Sequence, residues 1–320
     1  MNIIEVNQLT KTYHKNNGEA FDAVKAINFT VKSGEIFSFL GPNGAGKSTT
    51  IGMLTAQILP TSGSIKIFQK ALDANVTELK SKIGVVTQHN NLDRGLTARE
   101  NLLYHAHYFG MHGEAVKQRV DFLLEKFGLK AWENEFVKHF SGGMIQRLKI
   151  ARAIVHKPEL LFLDEPTTGL DPQYREILWE QVLDLKQEGT TIFLTTHYME
   201  EPERFSDRIA IYAKGEIKAI GTAQELRKLI PGHLIARLTG ANIEANQVKV
   251  LQDLSFVEKV DFTDQAIVFY LKDGDQSKTD FVTWLINSQI RYDNLTISSA
   301  TLDDIFIQLT SEQEENGGDV

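Results

Sequence analysis

Cysteine is absent from all 320 residues, so neither a disulfide nor a thiolate-held metal organises this chain. Long apolar runs are missing as well. None approaches the ~18 residues that mark a membrane span, and the longest, at 36–40 and 266–271, have strand length. The opening residues Met1-Asn2-Ile3-Ile4-Glu5 carry neither the basic nor the apolar region of a signal peptide. An excess of positive charge is lacking too. With 34 basic and 42 acidic residues the net charge is −8, which argues against a dedicated nucleic-acid binder. No internal repeat or low-complexity segment is seen. These absences point to a cytoplasmic globular protein. Its 42% hydrophobic and 24% charged residues are ordinary for that class, and its length suggests two domains.

The most informative feature present is Gly41-Pro42-Asn43-Gly44-Ala45-Gly46-Lys47-Ser48-Thr49. This is a G-x-x-x-x-G-K-[ST] loop between an apolar strand pattern at 36–40 and a helical pattern at 49–57. A strand, a glycine turn and a helix start make a nest of backbone N–H groups that holds polyphosphate. The glycines let the backbone close around a β-phosphate. Lys47 is placed to reach the β- and γ-phosphates, and the Ser48 hydroxyl to ligate Mg²⁺.

Around this loop the periodicity divides the chain. Residues 1–35 read as antiparallel β, with strands near 2–6 and 23–31. Strands at 36–40, 83–87, 160–163, 191–195 and 208–212 then alternate with helices, which predicts a mainly parallel sheet covered by helices. The stretch between Gln88 and Ser141 is helical in pattern, with helices near 98–109 and 114–127, and reads as an inserted helical subdomain at about 89–155. A boundary at Ile230-Pro231-Gly232 gives domains at 1–230 and 231–310. In the second, strands near 234–238, 257–262, 266–271 and 290–297 and helices near 243–254 and 277–288 predict a small βαββαβ unit, its paired strands turning at Thr263-Asp264. A last helix starts at Thr301, capped with Asp304. Leu302, Ile305, Phe306 and Leu309 form one apolar face on it that must dock. Residues 311–320 carry four acidic and no basic residues and read as a disordered tail.

Two further segments carry chemistry. Leu160-Leu161-Phe162-Leu163 leads into Asp164-Glu165. A buried strand ending in two carboxylates delivers them to the sheet edge where the phosphate loop opens. Asp164 is the candidate for holding Mg²⁺ through its water shell, and Glu165 for the general base toward a water attacking the γ-phosphate. Phe140-Ser141-Gly142-Gly143-Met144 opens the next helix. Ser141 can cap it while Gly142 and Gly143 bare its N–H groups, a second anion site. One nucleotide needs one phosphate loop, so a second γ-phosphate site suggests a nucleotide shared between two subunits.

With these segments in hand, the sequence resembles the ATP-binding subunits of ABC transporters over about residues 2–230. Residues 41–49 are similar to the Walker A loop, 160–165 to the Walker B strand, and 140–144 to the signature segment, with Phe140 where Leu is usual. Gln88 matches the Q-loop glutamine, Asp171 in Gly169-Leu170-Asp171 the D-loop, and His197 in Thr195-Thr196-His197 the switch histidine. Tyr13 matches the aromatic that stacks on adenine. The resemblance implies an α/β P-loop NTPase fold with an antiparallel β subdomain, a RecA-like parallel core, an inserted helical subdomain and a small C-terminal α+β domain. It implies ATP and Mg²⁺ as cofactors, with Ser48, Gln88 and Asp164 toward the metal and Lys47, Gln88, Glu165 and His197 toward the γ-phosphate. It also implies a head-to-tail homodimer that sandwiches two nucleotides and is glued by their phosphates.

Gly41–Gly52 with its continuation Thr49-Thr50-Ile51-Gly52, Leu96-Thr97-Ala98-Arg99-Glu100-Asn101-Leu102 and Thr195-Thr196-His197-Tyr198-Met199-Glu200-Glu201 are closest to ABC-2 type exporters, and the tail at 301–310 also resembles theirs. That implies a separate polytopic permease and a place on the cytoplasmic face of the inner membrane. Pro202 stands where Ala is usual, a departure that a first helical turn tolerates. Two other readings compete: a soluble ABC ATPase acting on ribosomes or DNA, and an unrelated P-loop kinase or GTPase. The acidic charge and single ABC domain disfavour the first, and Tyr13, Gln88, Ser141 and His197 are unexplained by the second. His105, His107 and His112 invite a metal reading, but His105 and His107 diverge on a helix.

Overall fold

The computed structural model describes all residues except 16, 233, 242–250, 252, 263–265, 273–274, 289 and 316–320. The chain divides into two compact units, Met1–Ile220 and Gly221–Val320.

The first unit begins with two long strands, β1 (Asn2–His14) and β2 (Ala20–Lys32). They pair antiparallel and outrun the segments expected from alternation, because bulges at the left-handed Gln8 and Ala26 break the alternation without ending the pairing. Next come β3 (Ile36–Leu40), α1 (Lys47–Leu54), β4 (Ser62–Ile67), β5 (Lys70–Ala71), α2 (Val76–Lys80) and β6 (Ile83–Val86). The helical insert carries α3 (Ala98–Tyr108), α4 (Glu114–Lys126) and α5 (Gly142–Ala153). The chain returns through β7 (Leu160–Asp164), α6 (Pro172–Gln187), β8 (Thr191–Thr196), α7 (Glu200–Phe205), β9 (Arg208–Ala213) and β10 (Glu216–Gly221).

These strands build a four-stranded sheet in the order β2-β1-β4-β5 and a six-stranded one in the order β10-β9-β3-β8-β7-β6. In the second sheet β3, β6, β7, β8 and β9 pair parallel. Its central strands are buried along their whole length, as parallel strands covered on both faces must be. Side chains one residue apart serve opposite faces. Ile36, Leu161, Leu163, Ile192 and Leu194 join the core shared with the helical insert. Phe37, Phe39, Phe162 and Phe193 join the core under the antiparallel sheet, where the rings of Phe37, Phe39 and Phe193 pack with that of Phe29 and the ring of Phe162 packs on Phe193. Phe140 packs into the first of these cores, which absorbs its extra volume.

The second unit holds α8 (Ala223–Arg227), β11 (Leu234–Thr239), β12 (Val257–Phe262), β13 (Ala266–Leu271), α9 (Asp275–Ser288), β14 (Asn294–Ser299) and α10 (Leu302–Glu315). Its sheet runs β12-β13-β11-β14, with β11 antiparallel to both neighbours. The final strand lies four residues later at its start than the periodicity predicts. Pairing of Leu234–Thr239 with Ser299 to Asn294 decides its register, and Ile290 instead packs on the core. Of the helix expected at 243–254, residues 242–250 and 252 lie outside the described residues, as does the turn at Thr263-Asp264. Thr301 and Asp304 bond reciprocally at the start of α10. Leu302 and Ile305 are buried, and α10 packs on α8. That helix reaches Glu315, and the rest of the expected tail, 316–320, lies outside the described residues.

Candidate functional site

The loop at 41–49 leaves β3 and enters α1 through Gly46, whose φ of 111° places it in the left-handed region. A Cβ there would run into the Ala23 carbonyl oxygen, and a Cβ on Gly41 into that of Tyr212. Gly46 has no side chain to cap the first turn of α1, so those N–H groups stay available to an anion. The loop borders a cavity of about 360 Å³, lined also by Tyr13, Phe21, Ala23, Gln88 and Glu165.

Lys47 is buried and donates to the carbonyls of Gly41 at 2.7 Å and Pro42 at 3.0 Å. Its ammonium lies 3.5 Å from Glu165 Oε1. Burial pushes its pKa down, opposed by Glu165 and Asp164. A desolvated cation on two carbonyls is a group that a polyphosphate would stabilise.

The carboxylates arrive where the strand pattern predicts. Asp164 ends β7 and accepts from Thr195 Oγ1 at 2.6 Å and from Ser48 Oγ at 3.3 Å. Burial pushes its pKa up, and those two hydroxyls oppose the shift. Glu165 follows at a φ of 47°, a left-handed conformation that costs a non-glycine residue about 1 kcal/mol or more. Its amide is held by Thr195 O and Oγ1, both at 3.1 Å. Around its Oε2 gather Thr168 Oγ1 at 3.2 Å, Gln88 Nε2 at 3.4 Å and His197 Nδ1 at 3.2 Å. The histidine approaches without the geometry of a hydrogen bond. A strained, buried carboxylate ringed by donors fits a group held for chemistry.

Lys47, Ser48, Gln88, Asp164, Glu165 and His197 thus converge, although they come from four separate stretches of chain. Ser48 and Asp164 present hard oxygen ligands at one point, with the Gln88 side chain on the same carboxylate cluster, a donor set suited to Mg²⁺. Tyr13 lies at the end of β1 and packs against Phe21, ring centres 5.7 Å apart, at the cavity wall. Ser141, Gly142, Gly143 and Asp171 do not line this cavity. Ser141 caps α5 by accepting from Met144 N at 3.3 Å, Gly143 faces Tyr174, and Asp171 is the exposed N-cap of α6.

Sequence reasoning missed Thr168, Thr195 and Phe21 as site neighbours. The threonine pair at the end of β8 was the available signal for Thr195, since hydroxyls at a buried strand end need acceptors. His105 packs against Phe109 and His156, whereas the rings of His107 and His112 stack 5.3 Å apart. Among the described residues no group of three acidic or histidine side chains could hold a metal ion. No described helix is long and apolar enough to cross a membrane.

A family model described as ABC transporter matches residues 24–168, and a second, an AAA domain, matches residues 137–200. The chain is similar to the linearmycin resistance ATP-binding protein of Bacillus subtilis (strain 168), 36% identical over 96% of this chain and 98% of that protein. It is also 37% identical to the Nod factor export ATP-binding protein I of Rhizobium sp. (strain N33), over 91% of this chain and 93% of the other. Among solved structures, an ATP-binding subunit of an ABC transporter superposes with a TM-score of 0.64 at 31% identity, covering 71% of this chain and 92% of that one. A dimeric ATP-binding cassette in a post-hydrolysis state with ADP and Pi gives a TM-score of 0.64 at 30% identity, over 68% of this chain and 98% of the other.

Proposed function

The chain belongs to the ATP-binding subunits of ABC transporters, in the ABC-2 exporter branch, and we propose that it hydrolyses Mg·ATP to drive export through a separate polytopic permease. The observation that carries the reading is the convergence of Lys47, Ser48, Gln88, Asp164, Glu165 and His197 beside one phosphate loop. Tyr13 would stack on the adenine, and the N–H groups of residues 43–49 would hold the phosphates. Lys47 would exchange its carbonyl acceptors for β- and γ-phosphate oxygens. Ser48, Gln88 and Asp164 would hold Mg²⁺, which when bound neutralises charge on the β- and γ-oxygens.

Glu165 would take a proton from the water that attacks the γ-phosphorus. The new oxygen–phosphorus bond forms as the bond to the β-phosphate oxygen breaks, giving ADP and phosphate. His197, beside Glu165, would contact the γ-phosphate. Ser141, Gly142, Gly143 and Asp171 lie away from the cavity. They fit a second copy meeting the first head to tail, and a solved relative that is dimeric supports the pairing of two copies. The two named relatives concern linearmycin resistance and Nod factor export, which favours an export role and a place at the membrane's cytoplasmic face.

Two measurements test the proposal. The full chain should hydrolyse ATP with Mg²⁺ and lose that activity in excess chelator. Affinity purification from membranes should bring down a polytopic protein. Salt-sensitive binding to ribosomes with no membrane protein recovered would replace the exporter reading.

A further inference from the structure

Residue 149 is a lysine on the face of α5 that packs into the molecule, and only 3% of it is exposed. Among the described residues no carboxylate pairs with it. Its ammonium donates instead to three neutral oxygens: the Thr87 carbonyl, the Gln88 carbonyl at 3.3 Å and Gln146 Oε1 at 3.2 Å. An ammonium has three N–H donors, so this set satisfies it. One turn later Arg152 donates to the carbonyl of Asn91 at 2.7 Å and also bonds its side-chain oxygen. Two cations spaced i, i+3 therefore grip the backbone between β6 and the helical insert, Lys149 from the buried side.

This arrangement is expensive as packing alone. Burial lowers the Lys149 pKa to about 8, and an apolar side chain of similar length would fill the space without that penalty. What the ammonium accomplishes is placement. The carbonyl of Gln88 is fixed by Lys149 while its side chain reaches Glu165 Oε2 at 3.4 Å. A change of about 1 Å at that glutamine would be felt at the carboxylate, and misplacement on this scale can cost about a hundredfold in rate.

We propose that Lys149 is a positioning residue for hydrolysis: it ties the helix that begins at Ser141-Gly142-Gly143 to the backbone of Gln88 and so sets the Gln88 side chain against Glu165. The inference rests on the reading of the site as an ATPase. It also makes α5 a rigid link, with its N-terminus at the second glycine segment and its middle on the first site.

The test is a double-mutant cycle on the full chain with Mg·ATP. Lys149→Met should lower kcat by at least about tenfold while leaving KM for ATP within about threefold, since Tyr13 and the loop at 41–49 are untouched. Gln88→Ala should lower kcat as well, and the pair should be no slower than Gln88→Ala alone, because both changes remove one placement. Lys149→Arg, which keeps a charged donor, should restore kcat to within about threefold of wild type. It serves as the deciding variant should Lys149→Met not fold. Defects that multiply in the double variant, an unchanged kcat in Lys149→Met, or a kcat for Lys149→Arg as low as for Gln88→Ala would each overturn the inference. Wild type that hydrolyses no ATP would instead count against the ATPase reading.

Discussion

Two helices in the first unit begin at glycine-bearing turns, and they are built in opposite ways. At the start of α1, Gly46 provides no cap, and a cation and two carboxylates stand around the open N–H groups. At the start of α5, Ser141 occupies one of the helix's own donors, and none of residues 141–143 lines the cavity. The difference teaches that similar local signals can mark unequal sites. The first is nearly complete within one chain. The second offers a dipole and small residues, which under the proposed function would serve a nucleotide held by a second copy.

The sharpest way to test this contrast is Glu165→Gln, which keeps the shape of the first site and removes the proposed base. Hydrolysis should fall at least ~100-fold, the usual scale for losing a general base, while ATP binding persists in a filter or fluorescence titration. Near wild-type turnover would take Glu165 out of that role. Next in size is Gly143→Asp at the second site. A Cβ there would meet Tyr174 at 3.6 Å, ordinary contact, so the fold should tolerate it. ATP binding by one chain should stay within about threefold, yet hydrolysis should drop by at least about tenfold, as when an oxyanion donor is lost. Should binding and hydrolysis decline together, the two helix starts would not be separable.

A smaller effect is expected at the wall of the first site. Tyr13→Ala should weaken ATP binding by about three- to tenfold, in the range of one stacked base, with little change in kcat. An unaltered affinity would move the adenine elsewhere.

The least effect concerns the framework of the second region. His105 on α3 and His156 just after α5 are each pushed down to about 4 by burial, with Arg152 and Arg119 respectively adding to the shift. Unfolded, they titrate near 6.5. The unfolded chain therefore binds more protons between those values, and stability should be lost as pH falls from about 6.5 to about 4, with no such loss above 6.5. Thermal melting across that range should show it, at about 2–4 °C per kcal/mol. His156→Gln should flatten the slope, and a melting curve equally steep in that variant would refute the assignment.

Much of this was legible in the linear pattern, for identifiable reasons. The strand at 160–164 is a short apolar run ending in acids, and its length and the flanking Pro158 and Pro166 favour a buried strand that delivers its last residues to the sheet edge. The phosphate loop is a motif whose chemistry is contained in nine consecutive residues. The register of β14 was not legible, because it depends on pairing with β11, some sixty residues away. Nor was the role of Thr168 beside Glu165, since a hydroxyl has no periodic signature.

By itself, the order of residues determined which groups are candidates for chemistry and which elements present them. It did so because helix and strand periods, glycine turns and capping residues are read within a few positions. Only the tertiary structure decided that His197, Gln88 and Lys47 meet at one glutamate, and that Lys149 reaches a carbonyl 62 residues away in the chain. The first contact follows from the strand order β3-β8-β7-β6 and the second from the packing of α5 beside β6, and no local pattern contains that information.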